Sequence, residues 1–150
     1  MAPDNSLPEV TAQRVGDVLV ADGVEFETEE VDSREIVRTG YNNCAIAFTL
    51  DDDAVICDSL WRGQVSLSDG AALLALINQW NQHHFTPTLR FFEQQGSHLV
   101  VSAYRRTDVS CGLSEKQLGY FVLSSMEAVR EAFAAVEERF PELVTWRYTP

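Results

Sequence analysis

Apolar positions change their period along the chain, and each change marks an element. From Leu118, the residues Val122, Met126, Val129, Phe133, Val136 and Phe140 follow at steps of 4, 4, 3, 4, 3 and 4. That spacing predicts an amphipathic helix of roughly 26 residues, about 39 Å long. A Ser114/Gln117 capping box opens it and Pro141 stops it. Val10, Val15, Val18 and Leu19 predict a first helix over 8–22, with Ser6 and Glu9 as its capping box, Pro8 in its first turn and Gly23 as its stop. Leu73, Leu74, Ile77 and Trp80 form the stripe of a second helix, capped by Ser68 and ending near Gln82 ahead of Phe85-Thr86-Pro87.

Between these helices the period shortens to two. Val24 and Phe26 alternate with acids, as in a short edge strand, and Glu35 to Gly40 reads as another short strand. Asn43–Leu50 and Ala54–Arg62 flank Asp51-Asp52-Asp53 as a hairpin with a polar turn. Thr88–Gln94 and His98–Arg105 form a second hairpin around Gln95-Gly96-Ser97. The tail Val144–Tyr148 is expected to fold back as a short extended piece. The order predicts an α+β fold: an antiparallel sheet built from hairpins, with helices packed mainly on one face. It fits one domain over residues 1–150, with residues 1–5 outside the ordered part.

Charge narrows the partners. The net charge is −12, and residues 1–53 carry thirteen acids against three arginines. A field of that sign repels phosphate backbones and anionic headgroups, so neither nucleic acid nor a membrane surface is the expected partner. No apolar run reaches the ~20 residues of a membrane span, and the start MAPDNSLPEV lacks the pattern of a secretory signal. Cys44, Cys57 and Cys111 are odd in number and lack CxxC spacing, which fits a reduced, cytoplasmic setting.

Candidate chemistry is sparse. His83 and His84 are adjacent and would point apart, so no metal site is expected. Cys111 precedes a helix start, where a thiol can become reactive, but nothing in the sequence brings a base to it. Glu29-Glu30, Asp51–Asp53 and Glu137-Glu138 read as solvent or turn positions. The densest polar and aromatic group is Asn78, Trp80, Asn81 and His84, at the end of the second helix. Its first reading is structural, with a buried indole and asparagines that finish the helix. Its second is a binding groove. Ala128, Ala132 and Ala135 beside the long stripe could admit a close neighbour, including a second copy in an isologous homodimer.

At these residues the chain resembles the YbjN family, whose members are labelled bacterial sensory transduction regulators. The matching pieces are Ile77-Asn78-Gln79-Trp80-Asn81, Pro87, the hairpin around Gly96, Gly112-Leu113-Ser114 with Gln117-Leu118, and Phe140-Pro141. The family fold is similar to that of type III secretion chaperones: small, acidic, α+β and often dimeric. The resemblance implies a binding or regulatory role and carries over no catalytic residue, cofactor or metal. The expected function is a non-enzymatic regulatory or chaperone-like protein that binds another polypeptide. The alternatives are a small-molecule sensor with a pocket between the sheet and the second helix, near Trp80 and His84, and a thiol enzyme at Cys111.

Overall fold

A computed structural model describes residues 7–146. In chain order it comprises α1 (Ala12–Ala21), β1 (Glu27–Val31), β2 (Arg34–Tyr41), β3 (Cys44–Leu50), β4 (Ala54–Trp61), α2 (Gly70–His83), β5 (Thr88–Gln94), β6 (His98–Asp108) and α3 (Glu115–Arg139). Short 3-10 turns at Leu67–Asp69 and Pro141–Leu143 precede α2 and follow α3. The expected α+β class is the observed one.

All strands join one antiparallel sheet in the order β1-β2-β3-β4-β6-β5. Strands β1 to β4 form a meander, and the chain then crosses through α2 before the β5–β6 hairpin closes the sheet. Pairing fixes which side chains share a face. Val37, Phe48 and Cys57 stand in one cross-strand row, wholly buried on the helix side. Ile46, Ser59 and Ala103 form another such row. Against them α3 lays Leu118, Val122, Val129, Phe133 and Val136, the stripe its spacing predicted. α1 adds Val15 and Leu19 to the same core.

Several boundaries differ from the sequence expectation. α1 begins at Ala12, because Thr11 accepts the Arg14 N–H at 3.2 Å and caps it. Ser6, proposed as the cap, and residues 1–5 lie outside the described residues, as do Arg147 and Tyr148 of the tail. Pro8 instead runs extended, and its carbonyl accepts from Leu113 N at 3.1 Å and from Arg14 Nη1 at 2.9 Å. Ser66, not Ser68, caps the turn before α2. Leu74 is exposed rather than part of the α2 stripe, because α2 packs along β5 by a narrow seam through Leu73, Ile77 and Trp80. β6 runs to Asp108, three residues beyond expectation, since β4 pairs with its far half.

β1 and β2 are a hairpin that the alternation pattern did not join. Asp32 and Ser33 both take positive φ (52° and 66°), the two-residue turn that follows strand twist. Gly40 does not end β2. It pairs opposite Ala45, where a Cβ would stand 2.4 Å from the Cys44 carbonyl oxygen, so only glycine fits this approach. The Ser114/Gln117 capping box forms as read, with bonds of 2.8 and 3.1 Å. After α3, Trp146 returns edge-on to Trp61, with ring centroids 5.7 Å apart.

Candidate functional site

The end of α2 is where the most distinctive residues of the sequence meet. Trp80 is the last core residue of that helix, and its Nε1–H donates to the Pro87 carbonyl at 2.9 Å. One residue on, Asn81 faces β5. Its Nδ2 donates to the Leu89 carbonyl at 2.8 Å and its Oδ1 accepts the Leu89 N–H at 2.9 Å. β5 is an outer strand, paired only with β6. The Asn81 amide therefore meets Leu89 as a neighbouring strand would. These two residues do structural work, tying the helix to the strand across the Thr86–Pro87 junction. Asn78 is exposed on α2, and among the described residues no hydrogen bond engages its side chain.

The two histidines close the helix. His83 Nδ1 lies 2.8 Å from the Gln79 carbonyl and His84 Nδ1 lies 3.1 Å from the Trp80 carbonyl. A carbonyl only accepts, so in each contact the Nδ1–H is the donor. The His84 ring lies flat on the Trp80 indole at 3.6 Å between centroids and 7° between planes. His84 thereby covers the outer face of an otherwise buried tryptophan.

Between α2 and α3 lies an open cleft of about 620 Å³. Leu76, Trp80 and Ala135 give it apolar surface, and His83, His84, Glu138 and Arg139 give it charge and hydrogen-bonding groups. The next residue along the chain, Phe85, is fully exposed. Its ring stands in solvent, one residue beyond His84 of the cleft lining. The sequence reading placed a pocket near Trp80 and His84 but between the sheet and α2, whereas this cleft lies between α2 and α3. It missed Glu138 and Arg139, because the α2–α3 approach that gathers them is not encoded in local spacing.

The alanines of α3 separate. Ala132 is enclosed in the chain's own core, while Ala128 and Ala135 are half-buried. Ala132 therefore cannot meet a partner, and only Ala135 reaches the cleft. Glu137, read as a solvent position, is buried, and its Oε2 accepts from Trp61 Nε1 at 3.0 Å and Asn43 Nδ2 at 2.8 Å. Its place four residues after Phe133 puts it on the inner side of α3. Arg105 donates to the Ser124 and Ser125 hydroxyls at 2.7 and 3.0 Å, a second buried-side polar link that the sequence did not announce.

The sulfurs also separate. Burial pushes the Cys44 thiol up to about 11 and the Cys57 thiol up to about 12. Both stay protonated and unreactive near neutrality. Cys111 is exposed in the turn before α3, and no hydrogen bond among the described residues joins it to a histidine. Among the described residues no three of His, Cys, Asp and Glu converge as metal ligands, and no helix is long and apolar enough to cross a membrane.

One antiparallel sheet with α1 and α3 on a single face and α2 at its edge defines a class of small α+β proteins. Within that class the identity follows from a family model. The model described as "Putative bacterial sensory transduction regulator", YbjN, matches residues 11–138, and the chain belongs to this family. The crystal structure of YbjN from E. coli, described as a putative transcription regulator, superposes with a TM-score of 0.70 at 17% identity. That match covers 92% of this chain and 98% of the other, and it shows a shared fold. No curated protein sequence matches significantly.

Proposed function

We infer that this is a regulatory protein that acts by binding another polypeptide, with the α2–α3 cleft as a contact surface. The observation that carries this reading is the open cleft itself, with apolar surface from Leu76, Trp80 and Ala135 and charge from Glu138 and Arg139, one residue along the chain from the fully exposed Phe85. Exposed aromatics beside a recess with charged borders are the usual anchors of protein contacts. The family description as a regulator supports the role. A small-molecule sensor would use an enclosed pocket that buries most of its ligand. This cleft is open, which favours a protruding side chain or segment as its occupant.

The test uses affinity capture from the source cell with the native chain and a Phe85→Ser variant of equal thermal stability. Selective loss of a captured polypeptide from the variant is the expected result. A native chain that stays monomeric and captures nothing overturns the reading.

A further inference from the structure

We propose that the outer edge of β1 is a docking site for a basic, extended polypeptide segment that adds to the sheet as a further strand. The proposal rests on the polypeptide-binding reading for its purpose but not on the cleft.

The backbone comes first. β1 is an outer strand, paired only with β2. In a two-residue hairpin the pair closing the turn, here Val31 and Arg34, exchanges backbone hydrogen bonds, and bonded and non-bonded pairs alternate from there. Glu29 and Glu27 thus bond toward β2, while the N–H and C=O of Thr28 and Glu30 point outward. Among the described residues no hydrogen bond from elsewhere reaches these groups. The opposite edge differs, because Asn81 already occupies Leu89 there. An open edge of this kind is the template for strand addition.

The surroundings select the guest. Between residues 25 and 35 stand six acids and one arginine. Arg38 binds Glu29 through Nε at 2.6 Å, and Arg34 reaches Asp51 at 3.8 Å. Among the described residues no ion pair engages Glu27, Glu30 or Asp17. A groove of about 500 Å³ runs between α1 and β1, lined by Ala12, Asp17, Phe26, Thr28 and Glu30 among others. Phe26 is seated there because Gly16 leaves room: a Cβ on Gly16 would lie 2.6 Å from the ring. An added strand would send alternate side chains into this groove. There Ala12 and Phe26 suit an aliphatic stem, and Asp17 and Glu30 suit its cationic end. A second copy of the same acidic edge is repelled by these charges, so the fitting occupant is a strand carrying Lys or Arg at every second position.

The probe is an end-capped eight-residue peptide alternating Lys with Val, titrated into the full chain by fluorescence anisotropy, with amide exchange read in parallel. The expected result is binding that protects the Thr28 and Glu30 amides. Replacing a central Lys-Val pair by Pro-Pro, with a Lys added at the N-terminus to keep the charge, removes a donor facing β1 in either strand direction and should weaken binding roughly tenfold or more. Thr28→Pro removes an outward donor without touching the β1–β2 ladder and should do the same. Glu30→Lys should weaken binding as well, and Phe85→Ser should leave it unchanged. If the proline peptide binds equally well, or the Thr28 and Glu30 amides exchange unaltered in the complex, the proposal falls. It also falls if Phe85→Ser abolishes binding while Thr28→Pro keeps it. Should the peptide fail while Phe85→Ser still loses its cellular partner, the edge is wrong and the polypeptide-binding reading stands.

Discussion

β5 and β1 each carry an outward row of backbone groups, and among the described residues the chain pins the first at Leu89 and leaves the second open. At β5 the covering group is an amide side chain from α2, fixed by a tryptophan bonded to the Pro87 carbonyl. At β1 the row is guarded only by charge, with all five residues exposed. The difference follows from connectivity. β5 is entered directly from a helix, whose last turn lies beside it. β1 is entered from α1 through Gly23–Phe26, which leaves α1 packed on β2 and α3 rather than along the edge. One edge is pinned at Leu89 by a side chain and the other is guarded by electrostatics, which excludes like charge while admitting the opposite.

The sharpest way to break the contrast is to unseal β5. Trp80→Ala removes a buried aromatic and the bond to Pro87, and should cost about 3–5 kcal/mol in urea unfolding. Asn81→Ala leaves the Leu89 N–H and C=O uncovered by protein and should cost about 1–3 kcal/mol, with faster amide exchange at Leu89. The strands between the edges give a measure of the shared core. Cys44 and Cys57 have folded values of about 11 and 12, raised from an ordinary 9.0. Their protonated forms stabilise the fold fully below pH 9, and that contribution is lost as pH rises from about 9 through the folded values, to about 12. A thermal melt series should fall over that window, and native alkylation at pH 8 should label Cys111 alone. Smallest of all, Thr28→Pro should shift stability by less than about 1 kcal/mol, because the bond it removes is made to water. A large loss there would mean that β1 is sealed after all.

Most of this fold could be read in the sequence, and the exceptions have a common cause. α3 was legible because seven apolar residues keep helical spacing between a capping box and a proline. The β3–β4 and β5–β6 hairpins were legible because polar turns separate alternating runs. The β1–β2 hairpin was not joined, since Asp32-Ser33 lacks the glycine that usually marks its turn. At the candidate site, Trp80 and Asn81 stood out by composition, and the structural reading of both is the one the geometry supports. Glu138 and Arg139 were invisible because the helix approach that gathers them is a tertiary event. Glu137 was misplaced for the same reason: a charged residue in a run of charged residues gives no sign that a tryptophan on β4 will bond it.

The ladder between β4 and β6 has a consequence for how the molecule is made. It joins Ala54 to Asp108, so α2, β5 and their connections must be synthesised before β4 gains its second neighbour. During that interval the β1–β4 meander is complete by local pairing, and β4 is a temporary border of the sheet. Its sequence AVICDSLW is apolar and β-prone, the kind of segment that recruits other chains when left unpaired. Asp58 in its middle is then a safeguard for the nascent chain, and only later the partner that holds Arg90 at 3.1 Å on the finished sheet.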